Sequence, residues 1–212
     1  MSTSKIIQYL LKYRPSSEWI IKESGIPYLK LNIDVPWSDI LSEWNNVADL
    51  AVLHRSSDEY QQMSNNEWYS LVLYGSSPTD TAIINGEPHW TDIAERCPLT
   101  KKWISETFII NEKTGRIRFM LLGPGGHIVL HKDRDTKGLC EINVAITQPD
   151  NCEFRFKNYG AVPFKNGTAF MVDISNEHFL YNHSSEPRLH MILHTGVEQN
   201  IIKDSYANCF YS

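Results

Sequence analysis

Three side chains and one cation in the second half of the chain have the types and the spacing to do chemistry. His131 and Asp133 form a His-x-Asp pair closing the run Gly123-Pro-Gly-Gly-His-Ile-Val-Leu-His131-Lys-Asp133. If this run is a strand entered from a tight turn, positions i and i+2 share a face, and an imidazole and a carboxylate can converge on one ion. His178 follows an apolar run, in His178-Phe-Leu-Tyr-Asn182, and Arg188 comes ten residues after it. Two imidazoles, one carboxylate and a fixed guanidinium suit a mononuclear iron(II) site with open positions beside an anchor for a dicarboxylate.

Each piece also has a plainer explanation. With eight histidines in the chain, about one His-x-Asp/Glu is expected by chance, so the pair read alone is a surface histidine beside a strand-end aspartate. His178 alone reads as a core histidine bonded to backbone. His183 is the rival ligand, but it sits at a turn with Tyr181 and Ser185 as its i±2 neighbours, whereas His178 shares a face with Leu180 and Asn182. Arg188 opens a strand with Leu189, Met191 and Leu193 on one face and Arg188, His190 and Ile192 on the other. Such a strand is buried on both sides, and a buried arginine needs an anionic partner. That partner is an internal carboxylate (Glu141, Glu153 or Asp173) or the distal carboxylate of a bound dicarboxylic acid, which a planar guanidinium grips with two parallel bonds.

The elements that must position these groups are mostly strands. From residue 108 onward, apolar alternation recurs at Phe108–Ile110, Arg116–Leu122, His127–Asp133, Cys140–Thr147, Cys152–Lys157, Ala161–Phe164, Gly167–Ile174, His178–Asn182 and Arg188–His194. Turn residues separate them, with φ > 0 expected in the Gly123–Gly126 turn and at Asn166-Gly167. Glu112-Lys-Thr-Gly115 reads as the turn of a hairpin joining the first two strands. Short strands with a turn every 8–12 residues predict a mainly β fold, a double-stranded β-helix or jelly roll of cupin type. Upstream, the spacing predicts a short helix over Ile6–Tyr13 and a strand over Pro27–Ile33. A helix is expected from about Trp37, a strand over Glu67–Tyr74, and helices near Thr91 and over Thr100–Thr107. We expect one domain over 1–212: a helical and mixed cap at 1–107 with helices packed on the sheet, a jelly-roll core at 108–196 and a tail at 197–212.

Composition bounds the function. A net charge of −5 and a pI near 5.9 argue against a nucleic-acid partner, which calls for a basic surface or stripe. No apolar run approaches the roughly 20 residues that span a bilayer, and the N-terminus lacks the pattern of a secretory leader. Cys97, Cys140, Cys152 and Cys209 are scattered without a CxxC pair, so we read them as buried thiols in a reducing cytoplasm. Oligomeric state leaves no mark in the sequence.

Taken jointly, the tract from about Trp90 to His194 resembles the aspartyl/asparaginyl β-hydroxylase-like branch of the 2-oxoglutarate- and Fe(II)-dependent oxygenases. The resemblance rests on Cys97-Pro98 before a helix, Leu122-Gly-Pro-Gly-Gly-His-Ile-x-x-His131-x-Asp133, Gly167-Thr-Ala-Phe-Met-Val-Asp-Ile174, and His178-x-x-x-Asn182 with Arg188 ten residues beyond the histidine. It implies that His131, Asp133 and His178 hold Fe(II), that Arg188 binds the C5 carboxylate of 2-oxoglutarate, and that O2 is the second cosubstrate. It further implies hydroxylation of an aspartyl, asparaginyl or prolyl side chain, in a free amino acid or a peptide, with release of succinate and CO2. Relatives often carry a basic residue and a histidine on the strand after the chelate, where this chain has Glu141-Ile-Asn143. Asn143 and Arg155 are therefore the candidates for the C1 carboxylate, and Trp68, Tyr74, His89 and Trp90 those for substrate contact. The competing readings are a non-oxygenase jelly-roll metalloprotein, which a third clustered histidine such as His127 or His190 would favour, and a metal-free anion-binding cupin module.

Overall fold

The computed structural model describes residues 27–54, 64–65, 67–80, 87–133 and 141–209. The expected helix at Ile6–Tyr13 and the residue Cys140 lie outside them. Most of the strands build two facing antiparallel sheets, and residues 108–109 and 196–197 form a separate two-stranded one. In the larger, β1 (Tyr28–Lys30), β11 (Ala169–Val172), β8 (Glu141–Thr147), β13 (Arg188–Leu193), β6 (Ile117–Leu122), β3 (Trp68–Gly75) and β2 (Val52–Leu53) lie side by side in that order, with β4 (His89–Trp90) paired to β3. The smaller runs β10 (Gly160–Ala161), β9 (Cys152–Phe156), β12 (His178–Asn182), β7 (His127–His131). A mainly β jelly roll is thus the architecture, as the turn spacing predicts. Strands from the first hundred residues, β1 and β3, form part of the larger sheet.

Alternation along the strands sorts side chains into two cores. Between the sheets lie Leu122, Ile128, Ala145, Phe154, Phe156, Val162, Phe164, Phe170 and Leu180. On the outer face of the larger sheet, Leu71, Phe119, Val144, Met191 and Leu193 pack against α1 (Trp37–Asn45), α2 (Asp92–Arg96) and α3 (Pro98–Thr107). Pro98 at the first position of α3 presets φ for the helix and lacks an amide hydrogen that would go unused there. The next two amides, of Leu99 and Thr100, donate to the Glu43 carboxylate of α1 at 2.8 Å each, and the Thr100 hydroxyl adds a third bond at 2.7 Å. A buried carboxylate at a helix N-terminus meets both its own hydrogen-bond demand and the helix dipole.

Both turns flagged for glycine need it. Gly125 has φ 71° in the turn entering β7, and Gly167 has φ 78° before β11. At Gly167 a Cβ would in addition lie 2.7 Å from the Trp37 ring. The predicted hairpin over 108–122 does not form: β5 (Phe108–Ile109) pairs with β14 (Gly196–Val197), while β6 pairs with β13 and β3. The turn at 111–115 is tied elsewhere, by Thr114 Oγ1 on the Ile109 carbonyl and against the Thr195 hydroxyl, and by the Gly115 amide on the His194 carbonyl at 2.7 Å. Residues 199–209 form a helix, α4 (Gln199–Cys209), whose Ile202 and Tyr206 enter the outer core. Its Ser205 hydroxyl accepts the Asn32 amide at 2.8 Å.

Candidate functional site

Antiparallel pairing of β12 with β7 places His178 directly opposite His131. Their rings lie 4.3 Å apart between centroids. His131 Nδ1 is 2.7 Å from the Val129 carbonyl and His178 Nδ1 is 2.9 Å from the Asn176 carbonyl. A carbonyl only accepts, so each Nδ1 carries the hydrogen and each Nε2 presents its lone pair. Asp133, fixed by its amide on the Ile174 carbonyl at 3.0 Å, turns Oδ2 to within 3.8 Å of His131 Nε2 and 3.7 Å of His178 Nε2. One ligand atom from each of the three residues falls within 4.8 Å of the others. Burial, the largest influence, pushes the His178 imidazole below its ordinary value and so favours the neutral form that ligates a metal. Two imidazole nitrogens and one carboxylate oxygen, with both imidazoles oriented by main-chain acceptors, fit a divalent iron ion. The Asp133 side chain is 37% exposed against 4% for His178, so the group is open on the Asp133 side.

A second polar group lies at the Asn182 end of β12. Arg188 pairs in register with Leu122, and its guanidinium stands 5.8 Å over the Phe164 ring. Phe164 packs edge-on to Phe154 at 6.2 Å, and Phe154 stacks on His178 at 5.1 Å. Two aromatic rings thus link the candidate metal-binding group to the guanidinium. Burial pulls the Arg188 pKa down to about 10, so the side chain remains charged at neutral pH. The internal carboxylates expected as its partners are engaged elsewhere: Glu141 with His194 Nε2 at 3.2 Å, Glu153 with Arg155 Nε at 3.0 Å, and Asp173 with the Ser175 hydroxyl at 2.5 Å. What touches Arg188 is neutral: Gln148 Oε1 at 3.4 Å from Nε and His190 Nδ1 at 2.8 Å from Nη2.

Asn182 explains why the two groups keep their interval. Fully buried, it donates from Nδ2 to the carbonyls of Leu122, Gly123 and Glu186, and accepts on Oδ1 from the amide and hydroxyl of Ser184. One side chain thereby pins the end of β6, the glycine turn into β7 and the connection to Arg188. Asn143 lies on the inner face of β8 with its amide oxygen 2.6 Å from His190 Nδ1. Arg155 does not reach the interior. It alternates outward from Phe154 and Phe156 and pairs with Glu153 on the outer face.

Neither His127 nor His190 joins the metal-ligand group among the described residues. His127 stacks on Tyr181, as does His183. Of the aromatic candidates, Trp68 packs against the inter-sheet core, whereas Tyr74 and Trp90 pack with each other on the helical side. His89 stays on the surface edge strand. Gln148 is the residue that sequence reasoning does not connect with the site, and His190 enters it as a partner of Arg188 and not as the third clustered histidine of the competing reading.

A sequence model of the aspartyl/asparaginyl β-hydroxylase family matches residues 35–196. A comparison with curated proteins finds no match. Among solved structures, the non-heme α-ketoglutarate-dependent carbocyclase SnoK of nogalamycin biosynthesis is similar at TM-score 0.55 and 8% identity, over 87% of this chain and 85% of that one. A prolyl-4-hydroxylase of Pseudomonas putida is similar at TM-score 0.50 and 10% identity, over 85% of this chain and 98% of that one. These two likenesses establish the fold. The match over 35–196 goes further: the chain belongs to the aspartyl/asparaginyl β-hydroxylase family and is an enzyme of the hydroxylase class.

Proposed function

We propose that the protein hydroxylates an amino-acid side chain of the aspartyl, asparaginyl or prolyl kind, carried by a free amino acid or a short peptide, with succinate and CO2 as co-products. Fe(II) is its metal, and 2-oxoglutarate and O2 are its cosubstrates. His131, Asp133 and His178 hold the metal, and Arg188 takes the C5 carboxylate of 2-oxoglutarate. The observation that carries this reading is the convergence of two oriented Nε2 lone pairs on one carboxylate within 4.8 Å.

When bound, the iron supplies the oxidising chemistry that couples decarboxylation of the 2-oxoacid to attack on an unactivated C–H bond. The chain's own residues do the rest. The Val129 and Asn176 carbonyls hold both imidazoles in the ligating tautomer. Phe154 and Phe156 cover the buried His178 and keep water from that side. Arg188 offers a buried, charged donor set to the end of the cosubstrate far from the metal, and Asn143 lines the inner sheet between them. Trp68, on the inner side of β3, is the candidate for substrate contact. No described helix is long and apolar enough to cross a membrane, and the buried free thiols of Cys97 and Cys152 suit a reducing cytoplasm.

The test is a succinate-release screen over amino acids and short peptides, with anaerobic titration of Fe(II) and 2-oxoglutarate alongside. A visible charge-transfer band on adding 2-oxoglutarate, and turnover on one class of substrate, are expected. Absence of the band with both present would overturn the assignment.

A further inference from the structure

Among the described residues Arg188 is a buried cation whose hydrogen-bond partners are neutral, and the way those partners use their hydrogens decides which of its edges is free. Gln148 donates through Nε2 to the Cys152 carbonyl at 2.6 Å, which fixes its amide so that Oε1 faces both Arg188 Nε and, at 2.9 Å, His190 Nε2. An acceptor opposite His190 Nε2 requires the hydrogen there. Burial, reinforced by the Arg188 charge, holds His190 well below its ordinary pKa, so the ring has no second hydrogen. Its Nδ1 is therefore an acceptor and takes the Arg188 Nη2–H at 2.8 Å. The opposite tautomer would set hydrogen against hydrogen at Arg188 and acceptor against acceptor at Gln148. With the hydrogen on Nε2, the Asn143 amide turns its NH2 rather than its oxygen toward Nδ1, and the single lone pair there is shared between that donor and Arg188 Nη2.

Nε and Nη2 form one edge of a guanidinium, and Nη1 with Nη2 the other. Gln148 and His190 occupy the first edge, and no described residue accepts from Nη1. We propose that Gln148 and His190 are positioning residues of the cosubstrate site. They are neutral acceptors that hold Arg188 by its side edge, leaving its end-on edge and its full charge for the distal carboxylate of 2-oxoglutarate. A carboxylate in either place would orient the arginine equally well and cancel the charge it must offer. This rests on the assignment of Arg188 made above and says how that assignment is built.

The test is anaerobic calorimetric titration of 2-oxoglutarate into the full chain loaded with Mn(II), joined to steady-state kinetics. Gln148→Glu keeps the shape and adds the competing charge. It is expected to weaken 2-oxoglutarate binding about tenfold to a hundredfold, the scale of a hydrogen bond to a charged group, with the loss falling on KM for 2-oxoglutarate more than on kcat. His190→Leu should weaken binding on the same scale, and His190→Asn, which keeps an acceptor near the place of Nδ1, should recover most of it. Nitrogen-15 shifts of the His190 ring should show Nδ1 without hydrogen at neutral pH. Wild-type affinity in Gln148→Glu, or a hydrogen on Nδ1, overturns the proposal. Arg188→Met separates the two levels. If it binds 2-oxoglutarate like the wild type, the assignment of Arg188 itself falls; if it alone weakens binding, only the positioning role falls.

Discussion

At the His178 end of the roll each imidazole leans on a carbonyl two residues away in its own chain, Val129 for His131 and Asn176 for His178. At the Asn182 end, Arg188 is held instead by side chains from β13 and from just beyond β8, residues 40 positions apart in the case of Gln148. The first group is local, partly open, and assembled by one strand pairing. The second is tertiary, more deeply buried, and assembled by side-chain hydrogen bonds whose directions depend on one another. The difference suits the tasks proposed for them. A metal brings its own bonding preferences and needs only lone pairs aimed at a common point. An anion site has to keep a charge buried without letting the protein neutralise it.

The largest effect should come from the local group. Asp133→Ala or His178→Ala is expected to reduce 2-oxoglutarate-dependent succinate formation to background, with loss of bound metal by elemental analysis. Turnover retained in both would break the comparison, because the two ends would then not serve one reaction. Arg188→Ala should act differently: the metal stays, and the 2-oxoglutarate requirement rises by about a hundredfold, as expected for removal of a charge-assisted pair. An unchanged KM for 2-oxoglutarate would detach this end from the cosubstrate.

Asn182→Ala tests the link between the ends. It removes a side chain that makes five hydrogen bonds, among them its two in the buried interior to the Leu122 and Gly123 carbonyls, at roughly 1–3 kcal/mol for such a loss. The midpoint of urea unfolding should fall accordingly, and both metal and 2-oxoglutarate should bind more weakly. A loss confined to one ligand would show that the ends are positioned independently.

The same contrast governs what the sequence shows beforehand. The proposed metal ligands are readable because their geometry is the period of a strand: His131 and Asp133 share a face at i and i+2, and His178 heads a strand of matching alternation. The ten-residue interval to Arg188 is equally linear, since Asn182 and the turn after it fix the connection. The partners of Arg188 are not readable in this way. Gln148 and His190 meet only because β8 and β13 pair with a register shift between Leu189 and His190, and no periodicity encodes a bulge. The missing hairpin over 108–122 fails for a similar reason: single hydroxyls on Thr114 and Thr195 redirect the turn. The final helix leaves a faint trace, because Ile202 and Tyr206 stand at i and i+4, but polar residues surround them and the segment reads as a tail.

The smallest effect concerns pH and isolates the buried group around Arg188. His190 is buried, and burial first, then the Arg188 charge, lowers its pKa well below 6.5. A histidine depressed in the folded state binds its proton more readily when unfolded. Its neutral form therefore supports folding in full above pH about 6.5, and that support fades as pH drops toward the folded value. The expected slope is about 1.4 kcal/mol per pH unit below pH 6.5 for this one proton. Urea unfolding of the metal-free protein at pH 7 and at pH 5.5 measures it, with His190→Asn as the reference that cannot titrate. The wild type should lose more stability than the variant over that interval. Equal losses would mean that the ring titrates alike in the folded and unfolded chain, and a smaller loss in the wild type that it already carries its second proton when folded, so that Arg188 would face a cation where the present geometry gives it an acceptor.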